Sequence, residues 1–543
     1  MDARHYPIII VGAGPTGLML AAQLYRQGAS FLILDKKGGP TTESRALVVQ
    51  ARSMEIYEQM GLVDRVIKEG KPARGISLYK KGKPVASINL RNMGDKISPF
   101  PYAMVYEQSC NEHLLNDYLQ SVHQSVEWNT GVNQIEEKEG LYFLQTTQGL
   151  FSCRYLVACD GGGSTVRNYA GMSFEGGTYE NVFYVADTHV RGTGYEGDML
   201  ALFLVKDTLS FLFPMTGENR FRVMGILPKE YYYRDDIRFE ELVDRVKANT
   251  QLPLEFYDTS WYSTYRLHHK KVAHFNKGNI FFAGDAAHVH SPAGGQGMNT
   301  GLQDAYNLAW KLALVSSGQA SAPLLDTYHE ERNPVAERLL KTTDRLFSIM
   351  VRSAPPIRFI KMFVVPRVIP LVSRFAAMRK RWFLEVSQTQ INYRTSSLSG
   401  SKVGRISAGE RFPFFQVGGQ SVYQWIRERG AKGFLVVTYG MDEAPGSQPT
   451  AVPGAQPTAV PGAQPTVVPG PQPAATHAPQ PVATRAALPS GNDATLKEAG
   501  FPPAFIVVLR PDNYIAYIAE TFDKEAINRF MRERYHLTGS FWQ

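Results

Sequence analysis

Gly12-Ala13-Gly14-Pro15-Thr16-Gly17, placed directly after the apolar run Ile8 to Val11, narrows the fold more than any other feature of the chain. Each glycine has a mechanical reason. One makes a tight turn out of a strand, one lets a pyrophosphate approach the backbone, and one lets the following helix pack closely on the sheet. The spacing predicts a strand over 7–11, a helix over 15–27 stopped by Gly28, and a second strand over 31–35. The helix N-terminus offers free amides and the positive end of its dipole to phosphates. Asp35, eighteen residues past Gly17, with Lys36 beside it, suits a ribose hydroxyl ligand.

Two later segments repeat the pattern of an apolar run ending in a glycine-rich turn. Arg154 to Asp160 reads as a strand leading into Asp160-Gly161-Gly162-Gly163-Ser164-Thr165-Val166-Arg167, and Asn279 to Asp285 as a strand ending in Gly284-Asp285-Ala286-Ala287-His288. The dinucleotide fingerprint alone leaves FAD and NAD open; the third segment favours FAD. Asp285 at a strand end can accept hydrogen bonds from the hydroxyls of a ribityl chain. The loop Ser291-Pro292-Ala293-Gly294-Gly295-Gln296-Gly297-Met298-Asn299 then opens a helix whose amides and dipole would face a reduced flavin. No second Gly-x-Gly-x-x-Gly follows a strand, which argues against a resident NAD(P)H domain.

At 543 residues the chain exceeds one compact core. Its three cysteines (Cys110, Cys153, Cys159) fit neither a disulfide scaffold nor a metal site and suit a reducing, cytoplasmic setting. A net charge of +8 without a basic, aromatic-interleaved cluster argues against nucleic acid and for anionic cofactors or substrates. No secretory signal is read at the start, and no uncharged stretch reaches the ~20 residues that span a bilayer. Pro355 to Phe383 is apolar but interrupted by Arg358, Lys361, Arg367, Arg374, Arg379, Lys380 and Arg381. Packing against the body of the protein is the expectation there, with a basic amphipathic element on a membrane surface as the alternative. His288/His290 and His268/His269 lack further ligands at metal spacing, so no metal is expected.

Helices are predicted over 51–60 and 109–120, and a β-rich, aromatic texture from 174 to 274, with Phe203, Phe211, Phe213 and Phe221 in strand-like runs. The expected fold is α/β: a discontinuous Rossmann-like FAD-binding domain (1–72, 105–173, 275–345) with an inserted β-rich substrate domain (73–104, 174–274). A helical connector (346–395) and a C-terminal domain (396–543) follow. In the latter, 433–439 and 504–509 read as central strands and 523–534 as a closing helix. An octapeptide repeat, Gln448-Pro449-Thr450-Ala451-Val452-Pro453-Gly454-Ala455, recurs from Gln456 and decays from Gln464. Proline at this density opposes helix and sheet, so 442–493 is read as a disordered, PPII-prone insert, an inert spacer rather than an SH3-type ligand.

On these motifs the sequence resembles the group A, single-component FAD-dependent aromatic hydroxylases, in the branch of phenol, pentachlorophenol and aromatic-polyketide hydroxylases. Ser44-Arg45-Ala46, Tyr106-Glu107-Gln108, Tyr393-Arg394 and Arg510-Pro511-Asp512-Asn513-Tyr514 add to the match. The resemblance implies FAD contacts by Gly12, Gly14, Pro15, Thr16, Gly17, Asp35, Lys36, Arg45, Gln108, Asp160, Gly284, Asp285, Pro292, Gly295, Gly297, Met298 and Asn299. It implies a thioredoxin-like C-terminal domain, which here has no cysteine for dithiol chemistry. It also implies a transient visit by NAD(P)H, oxygen addition at flavin C4a, and hydroxyl transfer to a phenolic or polycyclic aromatic small molecule. Arg222, Tyr262, Tyr265, His268 and Tyr184 are candidates for activating the ring. A flavin oxidase or other tailoring oxygenase, and a non-catalytic flavin- or ligand-binding protein, stay open as alternatives. So do NADH against NADPH, and a homodimer.

Overall fold

The apolar run before each glycine motif is a buried strand. In the computed structural model, which describes residues 3–441 and 483–542 except 91–92, 193–194, 196, 206–208, 235, 293, 352–355, 357–358, 374, 431 and 540, Arg4–Val11 is an interior strand of a seven-stranded sheet. It pairs in parallel with Leu32–Leu34 on one side and Gly149–Ala158 on the other, and the latter pairs in parallel with Ile280–Phe282. Ile8, Ile9 and Ile10 are all buried, as expected of a parallel strand covered on both faces. The helices Pro15–Arg26, Gln108–Ser121 and Gly297–Ser316 pack together over this sheet. Gly28 adopts φ +76° just past the first helix, the left-handed stop that its position in the sequence predicts. All three glycine motifs therefore leave the carboxyl ends of neighbouring parallel strands, where open α/β sheets bind ligands.

A second, eight-stranded sheet runs Leu254–Lys271, Glu175–Gly192, Arg220–Ile226, Leu209–Pro214, Leu200–Leu204, Gly75–Lys80 and Lys83–Asn89, with the short His288–Val289 strand at the other edge. Three separated stretches of chain thus share one sheet. One face carries Tyr184, Ala186, Phe203, Leu212, Phe221 and Val223 in a closed core. The opposite face carries Leu200, Leu202, Phe211, Phe213 and Met224, three of them half-buried.

The C-terminal part holds a four-stranded sheet in the order Ala483–Ala487, Phe434–Tyr439, Phe505–Leu509, Ile515–Ala519, closed by the helix Lys524–Tyr535. The two predicted strands are its central pair, buried throughout. One point differs from the sequence reading. Residues 483–487 do not continue the proline-rich insert but pair in parallel with Phe434–Thr438, and Asp493–Ala499 is a helix. Proline density falls before Thr484, so backbone donors return and the segment can join a ladder. The repeat itself, within 442–482, lies outside the described residues. Trp310 and Leu314 of the Gly297–Ser316 helix enter the core beneath this sheet.

Candidate cofactor and active site

The three motifs touch. A Cβ added to Gly12, which sits at φ +104°, would fall 2.4 Å from the carbonyl oxygen of Cys159 and 2.8 Å from the Cα of Asp160. A Cβ on Gly284 would meet Thr16 Oγ1 at 2.4 Å, and one on Gly17 would meet the carbonyl oxygen of Gly12 at 1.8 Å. Gly14, by contrast, has nothing within 4 Å of its added Cβ. Two of the first three glycines are thus demanded by backbone packing, and the middle one faces open space. Arg167 completes the junction, donating to the carbonyls of Ala286 (3.1 Å) and Gly162 (2.5 Å).

Two helices start here without a side-chain cap or an acidic residue in the first turn: Pro15–Arg26 and Gly297–Ser316. Their leading amides and dipole ends are left for an anionic group. Asp35 is buried, and its carboxylate accepts from the backbone amides of Ala13 (2.6 Å) and Lys37 (2.8 Å). It holds the glycine loop first, and keeps lone pairs for a hydroxyl. Lys36 is exposed; it is Lys37 that pairs with Glu112, at 3.1 Å. Gln108 donates to the same Glu112 (3.0 Å) and its backbone amide to the carbonyl of Ala46 (2.9 Å), fixing the loop that carries Arg45.

Asp285 and Arg45 are both exposed side chains. Desolvation by the protein packed around Asp285 raises its carboxyl pKa, against opposing pulls from His288 and Arg45. Asp160 Oδ2 accepts from the amides of Thr165 and Val166, while its buried Oδ1 has no partner among the described residues, and burial again raises its pKa. His290 Nδ1 donates to the carbonyl of Ser291, its buried Nε2 has no partner among the described residues, and burial pushes its pKa down to about 4. Orphaned polar atoms, uncapped amides and an open glycine in one cleft fit a long polyhydroxylated, phosphate-bearing cofactor such as FAD.

In the 291–299 loop, Pro292 is exposed, Met298 is half-buried, and Gly295 at φ +61° lies against Val48. Ala293 lies outside the described residues. Gly297 faces His290, with its added Cβ 3.4 Å from Nε2. The Asn299 side chain is fully engaged: it donates to the carbonyls of Val48 and Gly295 and accepts from the Gln50 amide and Ser53 hydroxyl. It can meet a cofactor through its backbone alone.

The ring-activating candidates are not brought together. Arg222 is buried in a two-pronged ion pair with Asp187 (2.7 and 2.8 Å) and donates to the carbonyls of Arg45 and Ser44. It clamps the Arg45 loop from the eight-stranded sheet. Tyr184 and Tyr262 lie on the far face, in the closed core. His268 is exposed and bonded to Thr178. Tyr265 shares the near face, where its hydroxyl approaches Met224 Sδ at 3.3 Å. That near face, with Leu200, Leu202, Phe211, Phe213 and Met224 beside Arg222, forms an apolar wall next to the Arg45 loop.

Sequence reasoning missed Asp304 and Asp187. Asp304 is wholly buried and binds His288 Nε2 (2.8 Å), the Gly284 amide (3.1 Å) and Arg332 Nε (2.7 Å), so it braces the third motif from behind. An acid on the buried face of an otherwise apolar helix, or inside the apolar run Phe183 to Val190, was the available signal. Among the described residues no group of three or more His, Cys, Asp or Glu could hold a metal ion.

The FAD binding domain family model matches residues 5–343. Pentachlorophenol 4-monooxygenase of Sphingobium chlorophenolicum is 32% identical over 63% of this chain and 65% of its own length. The 6-methylpretetramide 4-monooxygenase of Streptomyces rimosus is 32% identical over 63% of this chain and 62% of its own. The chain thus spans just under two thirds of these curated relatives. Among solved structures, the anhydrotetracycline hydroxylase OxyS of Streptomyces rimosus has the same fold, with a TM-score of 0.73 at 22% identity over 99% of both chains. The chain belongs to the FAD binding domain family.

Proposed function

We infer that the protein is a flavin monooxygenase that hydroxylates an aromatic small molecule, phenolic or polycyclic. The stoichiometry consumes one NAD(P)H, one O2 and one proton, releasing NAD(P)+ and water with the hydroxylated ring. The observation that carries this reading is the contact of the Gly12, Asp160 and Gly284 turns beneath an apolar wall of the second sheet. FAD bound there would supply the redox and oxygen chemistry.

The residues divide the remaining work. The uncapped amides at Thr16 and Gly17 and the open face of Gly14 receive the pyrophosphate; Asp35 and Asp285 receive ribose and ribityl hydroxyls. The amides opening the Gly297–Ser316 helix, with Arg45, place positive potential at the ring end. Leu200, Leu202, Phe211, Phe213 and Met224 orient an aromatic substrate and exclude water. The strands drawn from 73–104 and 174–274 serve as the substrate domain, 346–395 as a connector, and 396–543 as a thioredoxin-like unit without redox chemistry. Three unpaired cysteines accord with a cytoplasmic setting.

The test is direct. The purified protein should be yellow, hold FAD, and oxidise NAD(P)H faster when a fitting phenol or polycyclic aromatic is added. Heavy-isotope O2 should label the product at one new hydroxyl. Failure to retain or rebind FAD, or label at a site other than an aromatic carbon, would overturn the assignment.

A further inference from the structure

Between Asp344 and Glu385 lie forty residues with nine arginines or lysines and no aspartate or glutamate. That excess is one more than the net charge of +8 of the whole chain, so the rest is close to neutral. The same stretch exposes large apolar side chains in a manner unlike the rest of the protein. Phe359 and Phe375 are about 60% exposed (60% and 61%), Leu371 56%, and Ile360, Phe363, Val364 and Val368 are exposed beside them. They sit on Ile360–Val364, on the helix Val365–Ser373, and at the start of Ala376–Val386. This unit rests on the edge of the second sheet at Lys83–Asn89, with Lys80 Nζ 4.2 Å from the Phe363 ring. Its outer face is left to water.

Packing against the body, the first expectation for this segment, accounts for one side of it. Seven large apolar side chains exposed together call for a partner. The charge pattern selects which. A second copy of the chain would set two acid-free, strongly basic strips against each other, with no carboxylate in either to pair them. The partner must be apolar within and anionic at its rim.

We propose that this face docks the protein peripherally on an anionic lipid bilayer. Phe359, Phe363, Leu371 and Phe375 enter the acyl boundary, while Arg367, Lys380 and Arg381, all exposed, meet the headgroups. Arg358 and Arg374 lie outside the described residues and contribute through sequence charge alone. No helix among the described residues is long and apolar enough to cross a membrane, so the association is with the surface. The proposal is independent of the cofactor assignment.

The full chain with FAD is sedimented with phosphatidylcholine vesicles with and without phosphatidylglycerol, at low and high salt. Binding is expected with phosphatidylglycerol, sharply weakened by salt and weak on phosphatidylcholine alone. Phe359→Ser with Phe375→Ser, and separately Arg367→Glu with Lys380→Glu and Arg381→Glu, should each lower the partition coefficient about 100-fold. FAD content and thermal unfolding should stay unchanged, since all five side chains are exposed. Failure to sediment with phosphatidylglycerol vesicles would overturn the proposal, as would equal binding by both variants. So would a concentration-dependent dimer that Phe359→Ser dissolves while vesicles leave the wild type in solution; that result assigns the face to a second copy.

Discussion

Gly301 offers a sharp test of whether the first and third motifs share one junction. It lies inside the Gly297–Ser316 helix, where alanine in place of glycine ordinarily gains about 1 kcal/mol. Here the added methyl would fall 2.3 Å from Thr16 Oγ1, 3.2 Å from Gly284 Cα and 3.6 Å from Thr16 Cβ. Both neighbours are held by the sheet, and overpacking of this kind costs about 1–3 kcal/mol. Gly301→Ala alone should therefore be neutral to about 2 kcal/mol destabilising. Thr16→Ala removes the hydroxyl that causes the closest contact and leaves the Gly284 Cα at 3.2 Å, a contact relieved by a shift of a few tenths of an ångström. In that background Gly301→Ala should recover its helix gain, becoming stabilising by up to about 1 kcal/mol. The four proteins form a double-mutant cycle read by urea unfolding, with tryptophan and flavin fluorescence as separate probes. The expected coupling is about 2 kcal/mol. A coupling below about 0.5 kcal/mol, the additivity expected of distant sites, would refute the contact and with it the convergence of the motifs.

Asp187→Ala should leave Arg222 buried and unpaired at a cost of about 3–5 kcal/mol and release the Arg45 loop. A lower Tm with unchanged FAD retention on gel filtration would rule out the clamp. His290, held down to about 4 from 6.5, favours the neutral ring in the folded state. As pH falls from about 6.5 to about 4 the unfolded chain takes up the proton first, so stability drops by up to about 3 kcal/mol. His290→Gln should flatten that limb in urea midpoints measured across the window, and an unaltered limb would exclude His290 as its source. Glu331 is held well below the usual carboxylate range by Arg510 and Lys311, against the opposing effect of its burial. Its stabilisation is complete above the unfolded glutamate pKa near 4.5 and is lost as pH falls toward the folded value. Glu331→Gln should cost about 3–5 kcal/mol at neutral pH and abolish that acid limb; parallel acid curves for the two proteins would contradict the role.

The legible parts of this chain were those in which local sequence dictates local backbone. A strand ending in a glycine turn is dictated by Ile8 to Gly17, and the helix over 51–60 by its own periodicity. The two central C-terminal strands are continuous apolar runs, and needed no partner to be read. Pairings distant in sequence were not legible. Nothing local says that Arg222 meets Asp187 and then the carbonyl of Arg45, or that Thr16 fits between Gly284 and Gly301. Sheet faces decided the tyrosines: period-two alternation puts Tyr262 and Tyr265 on opposite sides, but only the packed layers say which side meets the Arg45 loop. Asn299 is a cofactor contact by resemblance; its side chain, bonded to Val48, Gly295, Gln50 and Ser53, also fastens the loop to the neighbouring helix and leaves only its backbone to face a cofactor, which its place in the sequence does not tell.

The Gly297–Ser316 helix explains why the C-terminal unit, without cysteines, is retained at the site. Residues 299–314 of this helix are buried all round, so each polar group on it must find a fixed partner. The partners come from three directions. Asn299 and Asp304 fasten the loop and the third motif at its N-terminal half. At its C-terminal half, Lys311 pairs with Glu331, and Asn307 donates to both Glu331 and Asp512. Trp310 donates to Asp512 and packs on Phe434. Arg510 then grips Glu331 and Asp512 together, and Arg332 spans from Asp304 to the Tyr393 hydroxyl. Tyr393 and Asp512, flagged in the sequence only by resemblance, are thus the far end of a buried ionic chain whose near end is the Gly284 amide. An apolar seam of equal area would hold the two units as firmly, but would let the helix slide or rotate among near-equivalent packings. Charges that must each meet one partner fix its register, and with it the position of the amides that open toward the cleft.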